Sequence, residues 1–442
     1  MCRLPLLATL LATACADRSP QDAGGAAIGA LPEAVAPADR CVAAGEPLQA
    51  AIDAAADGAT VELLPGEHRG PVRLDRGITL RGPRAAVIAS DGTGSTVQLG
   101  GKGAGLLGCT VRGSGSRFDL LDSAIRVEGQ DLVVRGVQVR EALFGILVQL
   151  SQRVTIAGNV VLGTGQAAMG LRGDGIRLWE TTDSVVADNV VRDCRDVVVW
   201  YSSGNRITGN RTSGCRYGTH FMYSHGNVVS DNRHVDDVVG IFVMYSRDVE
   251  IRRNLLARST GAAGIGLGVK ESGNLVVADN WFVQDTIGVY LDTSPLDTSH
   301  HNEFTGNVFR LCDAAVSFHA SVTRNRFTDN QFADNDALLR VGGQGDALAC
   351  EFRSNHYDGY RGYDLDGDGI GDVPFEYRRL SSQLEDRRPE LALLHGAPAL
   401  QMVDLVGELL PMFAPRMLMT DAAPRLRAQA RGWQPQEDAD AR

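Results

Sequence analysis

The chain has 442 residues and a net charge of −11, with 54 Asp and Glu against 43 Lys and Arg. That balance excludes a nucleic-acid binder working through a basic surface. Glycine, at 51 residues, exceeds the usual share of about 7%, as a chain of many tight turns requires.

Residues 1–14 read as an export signal. Arg3 supplies the basic start and Leu4 to Leu11 an apolar run too short to span a bilayer. Leu11-Ala12-Thr13-Ala14-Cys15 has the form of a bacterial lipobox, which makes Cys15 a candidate lipidated residue; the alternative is an ordinary signal cleaved near Ala14. Residues 15–40 are rich in Ala, Gly and Pro without apolar periodicity and read as a tether. Between 46 and 57, Leu48, Ile52 and Ala55 share one helical face, so a short helix is expected to cap the open end of a repeat structure.

The repeat follows. Short β-prone runs alternate with Gly, Pro and Asp-Gly breaks, and Asn159, Asn189, Asn210, Asn232, Asn254, Asn280, Asn307, Asn330 and Asn355 recur at the same place in successive runs. Tyr201-Ser202, Tyr223-Ser224 and Tyr245-Ser246 repeat with the same period. A period near 22 residues is one coil of a parallel β-solenoid. The fold class is therefore all-β: a right-handed parallel β-helix over residues 41–375, ending in an Asp-rich loop. The asparagines read as structural, because Asn tolerates a left-handed turn and its amide can ladder onto the Asn of the next coil. Longer gaps place loops at Thr164–Arg172, Ser259–Gly264 and Ser294–His301. Cys194 and Cys215 each follow their Asn by the same offset and stack in adjacent coils, either as a disulfide or as two buried thiols. Residues 376–442 carry a helical patch at Ala399–Leu410 and end in a charged tail.

Alternation along Gly218–Ser224 places His220 and Met222 on one face, and Phe221 and Tyr223 on the other. In the next coil Phe242 and Met244 fall with the first pair, and Trp200 occupies the Met222 column one coil earlier. If that face points outward, His220, Met222 and Met244 form a soft thioether–imidazole set suited to Cu(I). If it points inward, these residues are ordinary packing. His319 lies four coils on, about 19 Å away, too far to join them. Asp364, Asp366, Asp368 and Asp372, with Gly369 between, match most of a calcium loop. Phe375 stands where the closing Glu belongs, so a calcium ion here would brace structure. Catalysis would need a general base beside a charge-neutralising group in one groove. Asp174 with Arg177, Lys270 with Glu271, and Asp292 with His319 are the candidates, and they form no compact acid–base motif.

Taken together, GDGIRLW (173–179), WYSSGNRITGN (200–210), RYGTHFMYSHGN (216–227), VGIFVMYSRDVEI (239–251), IGLGVKES (265–272), GVYLDTSP (288–295) and GYDLDGDGIGD (362–372) resemble the NosD family. These are the periplasmic β-helix proteins required to mature nitrous oxide reductase, and the resemblance covers roughly residues 41–425. It implies a periplasmic protein that is not an enzyme and that docks on an ABC transporter made of a permease and an ATPase. It implies copper received from a lipid-anchored chaperone and used in assembling the copper–sulfide centre of the reductase. By motif it assigns copper contact to His220, Met222 and Met244, and permease contact to the C-terminal helical region. Membrane association would then run through the transporter or a lipid on Cys15. Two other readings stand beside it: a carbohydrate-active β-helix of the lyase or epimerase type, and a metal-free scaffold that recognises the reductase through its aromatic and Met stripe.

Overall fold

The computed structural model describes residues 37–321, 323–381, 384, 397–409, 415–430 and 434–435. The export signal, Cys15, most of the tether and the last residues of the tail lie outside them.

Each coil makes three short strands, and each strand pairs in parallel with its counterpart one coil away. The coil that begins at Arg206 shows the pattern: Arg206–Thr208, then Arg211–Ser213, then Tyr217–Met222. Stacking generates three sheets, of 16, 13 and 12 strands, called here A, B and C in that order along the coil. The product is a right-handed parallel β-helix of about 14 turns. A three-residue strand sends only its middle side chain inward, so a column of the interior is filled by one residue per coil. Ile207, Val229, Ile251, Val277, Phe304 and Phe327 are successive members of one such column, all fully buried. Where the column is aromatic the rings stack: Phe304 on Phe327 at 4.5 Å and Phe327 on Phe352 at 4.8 Å, the spacing of the coils themselves.

The asparagines form the expected ladder, but not by occupying the turn. Asn189 Nδ2 donates to Ile156 O and to Asn210 Oδ1, each at 2.9 Å, and Asn210 Oδ1 also accepts the Asn189 N–H at 3.0 Å. The same set of bonds repeats up the corner between sheets A and B. To reach its neighbours the amide must turn inward, so the left-handed conformation falls on the preceding residue: Gly158, Asp188, Gly209, Asp231, Arg253, Asp279, Gly306, Asp329 and Ser354. Gly and Asp carry that conformation with little strain. A second ladder follows sheet C, where the N–H of Ser202, Ser224, Ser246, Ser272 and Ser294 each donates to the hydroxyl of the next member, ending on Ser321. These ladders satisfy buried polar groups that no solvent reaches.

The helix Leu48–Ala54 closes the N-terminal end with Leu48, Ala51 and Ile52 buried. The Arg76 guanidinium donates to the carbonyls of Ile52, Asp53 and Ala55 at 2.7–3.2 Å, which satisfies the helix terminus. At the other end the β-helix does not stop at residue 375. Phe375–Arg378 pairs antiparallel with Met417–Asp421, and the latter returns to sheet A beside Glu351–Arg353. The helix Pro398–Leu409 lies in the chain between those strands. Among the described residues no helix is long and apolar enough to cross a membrane.

The interior is divided. One apolar cluster ends near Cys215 and a second begins near Val199 and Phe221. Buried at this junction, the Thr212 hydroxyl donates to Asp237 and lies 2.7 Å from His234 Nδ1, and Asp237 Oδ1 accepts the Cys215 N–H at 2.8 Å. Cys194 and Cys215 are free buried thiols, each turned toward the carbonyl two residues back. Of the two arrangements open from sequence, the structure shows stacked thiols.

Candidate functional site

Sheet C exposes its outer face, and the residues singled out from sequence converge there. Met222 is in register with Met244, and Trp200 with Met222. His220 is in register with Phe242. Phe221 and Val243, between them in sequence, are fully buried in the core. The face carrying His220, Met222 and Met244 therefore points outward. Met222, Met244 and Trp200 are half-buried.

His220 is different: only 5% of it is exposed, and neither ring nitrogen has a hydrogen-bond partner. Its Nδ1 lies 4.0 Å from the Asp196 carboxylate, beyond hydrogen-bond length. Trp200, Tyr217 and Phe242 surround the imidazole with ring centroids at 5.3, 4.6 and 6.4 Å. Burial, with the Arg216 charge adding to it, pushes the imidazole down to about 4, so the ring is neutral at neutral pH with a lone pair free. A buried polar atom without a partner costs about 1–3 kcal/mol, and here one side chain carries two such atoms.

Beneath this patch lies a charge network. Asp174 accepts Arg177 Nη1 at 3.0 Å and both Arg195 nitrogens at 2.9 and 3.1 Å; Asp196 pairs with Arg216. Arg177 also lies over the rings of Trp179 and Trp200, at 5.0 and 4.8 Å. Three guanidiniums against two carboxylates leave the surroundings of His220 positive, which opposes its protonation.

The tyrosines do not follow the alternation. Tyr201, Tyr223 and Tyr245 adopt φ near +50°, which ends the strand and turns their side chains outward; Phe221 and Tyr223 do not share a face. The three rings stack at 5.3 and 4.9 Å in a ladder beside the His–Met patch. His225 takes no part in the patch, and its Nδ1 accepts the Arg247 N–H at 3.2 Å.

The family model described as "Periplasmic copper-binding protein (NosD)" matches residues 163–349, a segment that contains the whole patch. A model of the right-handed β-helix region matches residues 85–233. The chain is 28% identical to "Probable ABC transporter binding protein NosD" of Pseudomonas aeruginosa, over 82% of this chain and 89% of that one. It is 26% identical to the protein of the same name from Stutzerimonas stutzeri, over 80% and 84%. Residues 163–349 thus match the NosD family, and the chain is similar to NosD proteins over most of its length. The A-module of mannuronan C-5 epimerase AlgE6 from Azotobacter vinelandii superposes with a TM-score of 0.53 at 16% identity, over 70% of this chain and 93% of that one, a likeness of fold alone.

In this chain the acid–base candidates fall in two places. Asp174 is locked between two guanidiniums. Five coils on, about 24 Å away, Asp292 meets Lys270 at 3.4 Å. Glu271 sits in a left-handed turn, and exposed His319 stacks on Tyr290 at 5.9 Å. His319 stands four coils from Met222, as its spacing required. In the acidic loop, Asp364, Asp366 and Asp368 each bring a carboxylate oxygen within 4.8 Å of the others. Asp372 is outside that group and accepts the Leu365 N–H at 2.6 Å. Asp364 accepts the N–H of Gly367 and Gly369, bonds that hold its carboxyl below the usual carboxylate range.

Sequence reasoning named His220, Met222 and Met244 as candidate donors but not Tyr217, Asp196 or Arg216, which border His220. Tyr217 and Asp196 are register partners at the entrance of the strand, and the shared column was the available signal.

Proposed function

We propose that this protein is a NosD-type periplasmic copper carrier that holds Cu(I) with His220, Met222 and Met244. It acts with an ABC transporter in assembling the copper–sulfide centre of nitrous oxide reductase. The observation that carries the reading is the neutral imidazole of His220, with both nitrogens buried and unpartnered, beside two register-paired thioethers. Imidazole and thioether ligands suit Cu(I) over harder ions. The ion is cargo: Met222 and Met244 are half-buried and reach the surface, so a partner can exchange ligands with it. Support for the transporter comes from the names of the two relatives. The chaperone donor, the reductase acceptor and a lipid on Cys15 rest on the sequence resemblance. The helix Pro398–Leu409, which exposes Met402, Leu405 and Val406, is the proposed transporter contact.

The test is anaerobic Cu(I) titration of the full chain against a competing chelator, beside a Met222→Leu/Met244→Leu variant. Tight stoichiometric binding lost in the variant supports the reading; no binding, or binding that survives both changes, sinks it. In a deletion strain the reductase should accumulate without its copper–sulfide centre, whereas a fully active reductase would contradict the assembly role. The carbohydrate-active alternative would have to stand on Lys270, Asp292 and His319, which lie on three successive coils of sheet C. Calcium at Asp364, Asp366 and Asp368 is a secondary proposal, tested by whether Ca²⁺ raises the melting temperature of the wild type but not of Asp366→Asn.

A further inference from the structure

The outward column that holds His220 runs Val198, His220, Phe242, Gly268, Tyr290, one residue per coil. Gly268 is its member without a side chain. Glycine in the middle of a strand is unfavourable relative to alanine, so its presence asks for a local cause.

The neighbouring glycines have one in the main chain. A Cβ at Gly218, Gly240, Gly266 or Gly288 would come within 2.6–2.8 Å of the carbonyl oxygen of the next coil. Gly268 has no such constraint: its φ is not left-handed, and the three nearest atoms to a Cβ all belong to the Phe242 ring, Cδ2 and Cε2 at 2.7 Å and Cζ at 3.0 Å. The ring of Phe242 thus rests on the bare Cα of the following coil.

His220, Met222, Phe242 and Met244 occupy the corners of a rectangle, two outward positions on each of two adjacent coils. A side chain at position 268 would have to move the Phe242 ring by about 1 Å to reach ordinary contact distance, and the register neighbour of Phe242 on the opposite side is His220, with ring centroids 6.4 Å apart. We propose that Gly268 is a positioning residue: its missing side chain lets Phe242 tilt onto the next coil, leaving the centre of the rectangle to the ion held by His220, Met222 and Met244. This rests on the copper reading, but does not follow from it, since Gly268 touches none of the three donors in register.

The experiment is chelator competition for Cu(I), under anaerobic conditions, on four full-length proteins: wild type, Gly268→Ala, Gly268→Ala/Phe242→Ala and Met222→Leu/Met244→Leu. Gly268→Ala should weaken binding about tenfold or more while the protein stays folded, its melting temperature falling by no more than a few degrees. Removing the displaced ring in the double variant should restore most of the lost affinity, which a strand defect at residue 268 would not allow. Wild-type affinity in Gly268→Ala, with binding abolished in the methionine variant, overturns the inference and leaves the copper reading standing. A weakening that Phe242→Ala does not rescue also overturns it. If the wild type binds no Cu(I), the copper reading and the inference fall together.

Discussion

Met222 and Met244 are register partners on adjacent parallel strands, with His220 two residues before Met222 on the same outward face. The coil backbone sets the separation of their Cα atoms, which cannot part without unzipping sheet C, while the flexible side chains leave the two sulfurs free to meet an ion between them. Leucine replaces methionine at similar volume, so each single Met→Leu change should cost less than about 1.5 kcal/mol of stability. Affinity for Cu(I) should fall with each change and vanish with both. Thermal melts beside chelator titrations measure the two effects separately, and a variant that loses stability and copper in proportion would argue for packing alone.

The buried imidazole gives the site its own pH dependence. His220 is pushed down to about 4 by burial, whereas an exposed histidine gains its proton near 6.5. Protons should compete with Cu(I) only toward the lower value. Affinity measured from about pH 8 downward should hold nearly level past pH 6 and fall steeply only near pH 4. A midpoint near 6.5 would place the ligand on an exposed histidine instead.

Asp237 predicts the opposite slope in stability. Burial raises its carboxyl to about 7, above the usual value near 3.9 in the unfolded chain. The folded state therefore holds the proton longer. The resulting stability is fully present below the unfolded value and is lost as pH rises through the folded one. Asp237→Asn cannot ionise, so its stability relative to wild type should rise between about pH 5 and pH 8. Urea midpoints at the two pH values decide it; an equal offset at both would mean that the carboxyl does not titrate in this window.

Asn210 tests the ladder. Its Oδ1 accepts two bonds from Asn189, and its Nδ2 donates to Val186 O and Asn232 Oδ1. Alanine there strands several groups at once in a dry corner. A loss of about 3–5 kcal/mol is expected in equilibrium unfolding. A loss under about 1 kcal/mol would show that water enters and replaces the amide.

The period near 22 was enough to read the coil, and the column of Trp200, Met222 and Met244 followed from it, because equal coils map sequence offset directly onto register. Features that break the repeat were not legible. Tyr223 leaves its expected face because a left-handed residue ends the strand, and nothing in a tyrosine announces that conformation. The Thr212–His234–Asp237 cluster interrupts the core with polar groups that alternation alone assigns only to the inside. The partner strand Met417–Asp421 lies outside the repeat, and its pairing with Glu351–Arg353 is set by a long excursion that no local pattern records. Gly268 looked like any other strand glycine, since its cause is a ring one coil away.

The asparagine ladder ends on a carboxylate. Asn355 donates its N–H and its Nδ2 to Asp421 Oδ2 at 3.1 and 3.0 Å, and the Tyr357 hydroxyl donates to the same oxygen at 3.1 Å. That final rung comes from 66 residues further along the chain. During synthesis the earlier coils can close as they emerge, while the last edge of sheet A waits, unsealed, until Asp421 has left the ribosome. Once closed, the helix Pro398–Leu409 is moored to the solenoid on both sides, by Phe375–Arg378 before it and Met417–Asp421 after it. A tug on that helix is borne by sheet A and by the buried carboxylate at its end, so the terminal coil works as an anchorage for whatever grips the helix.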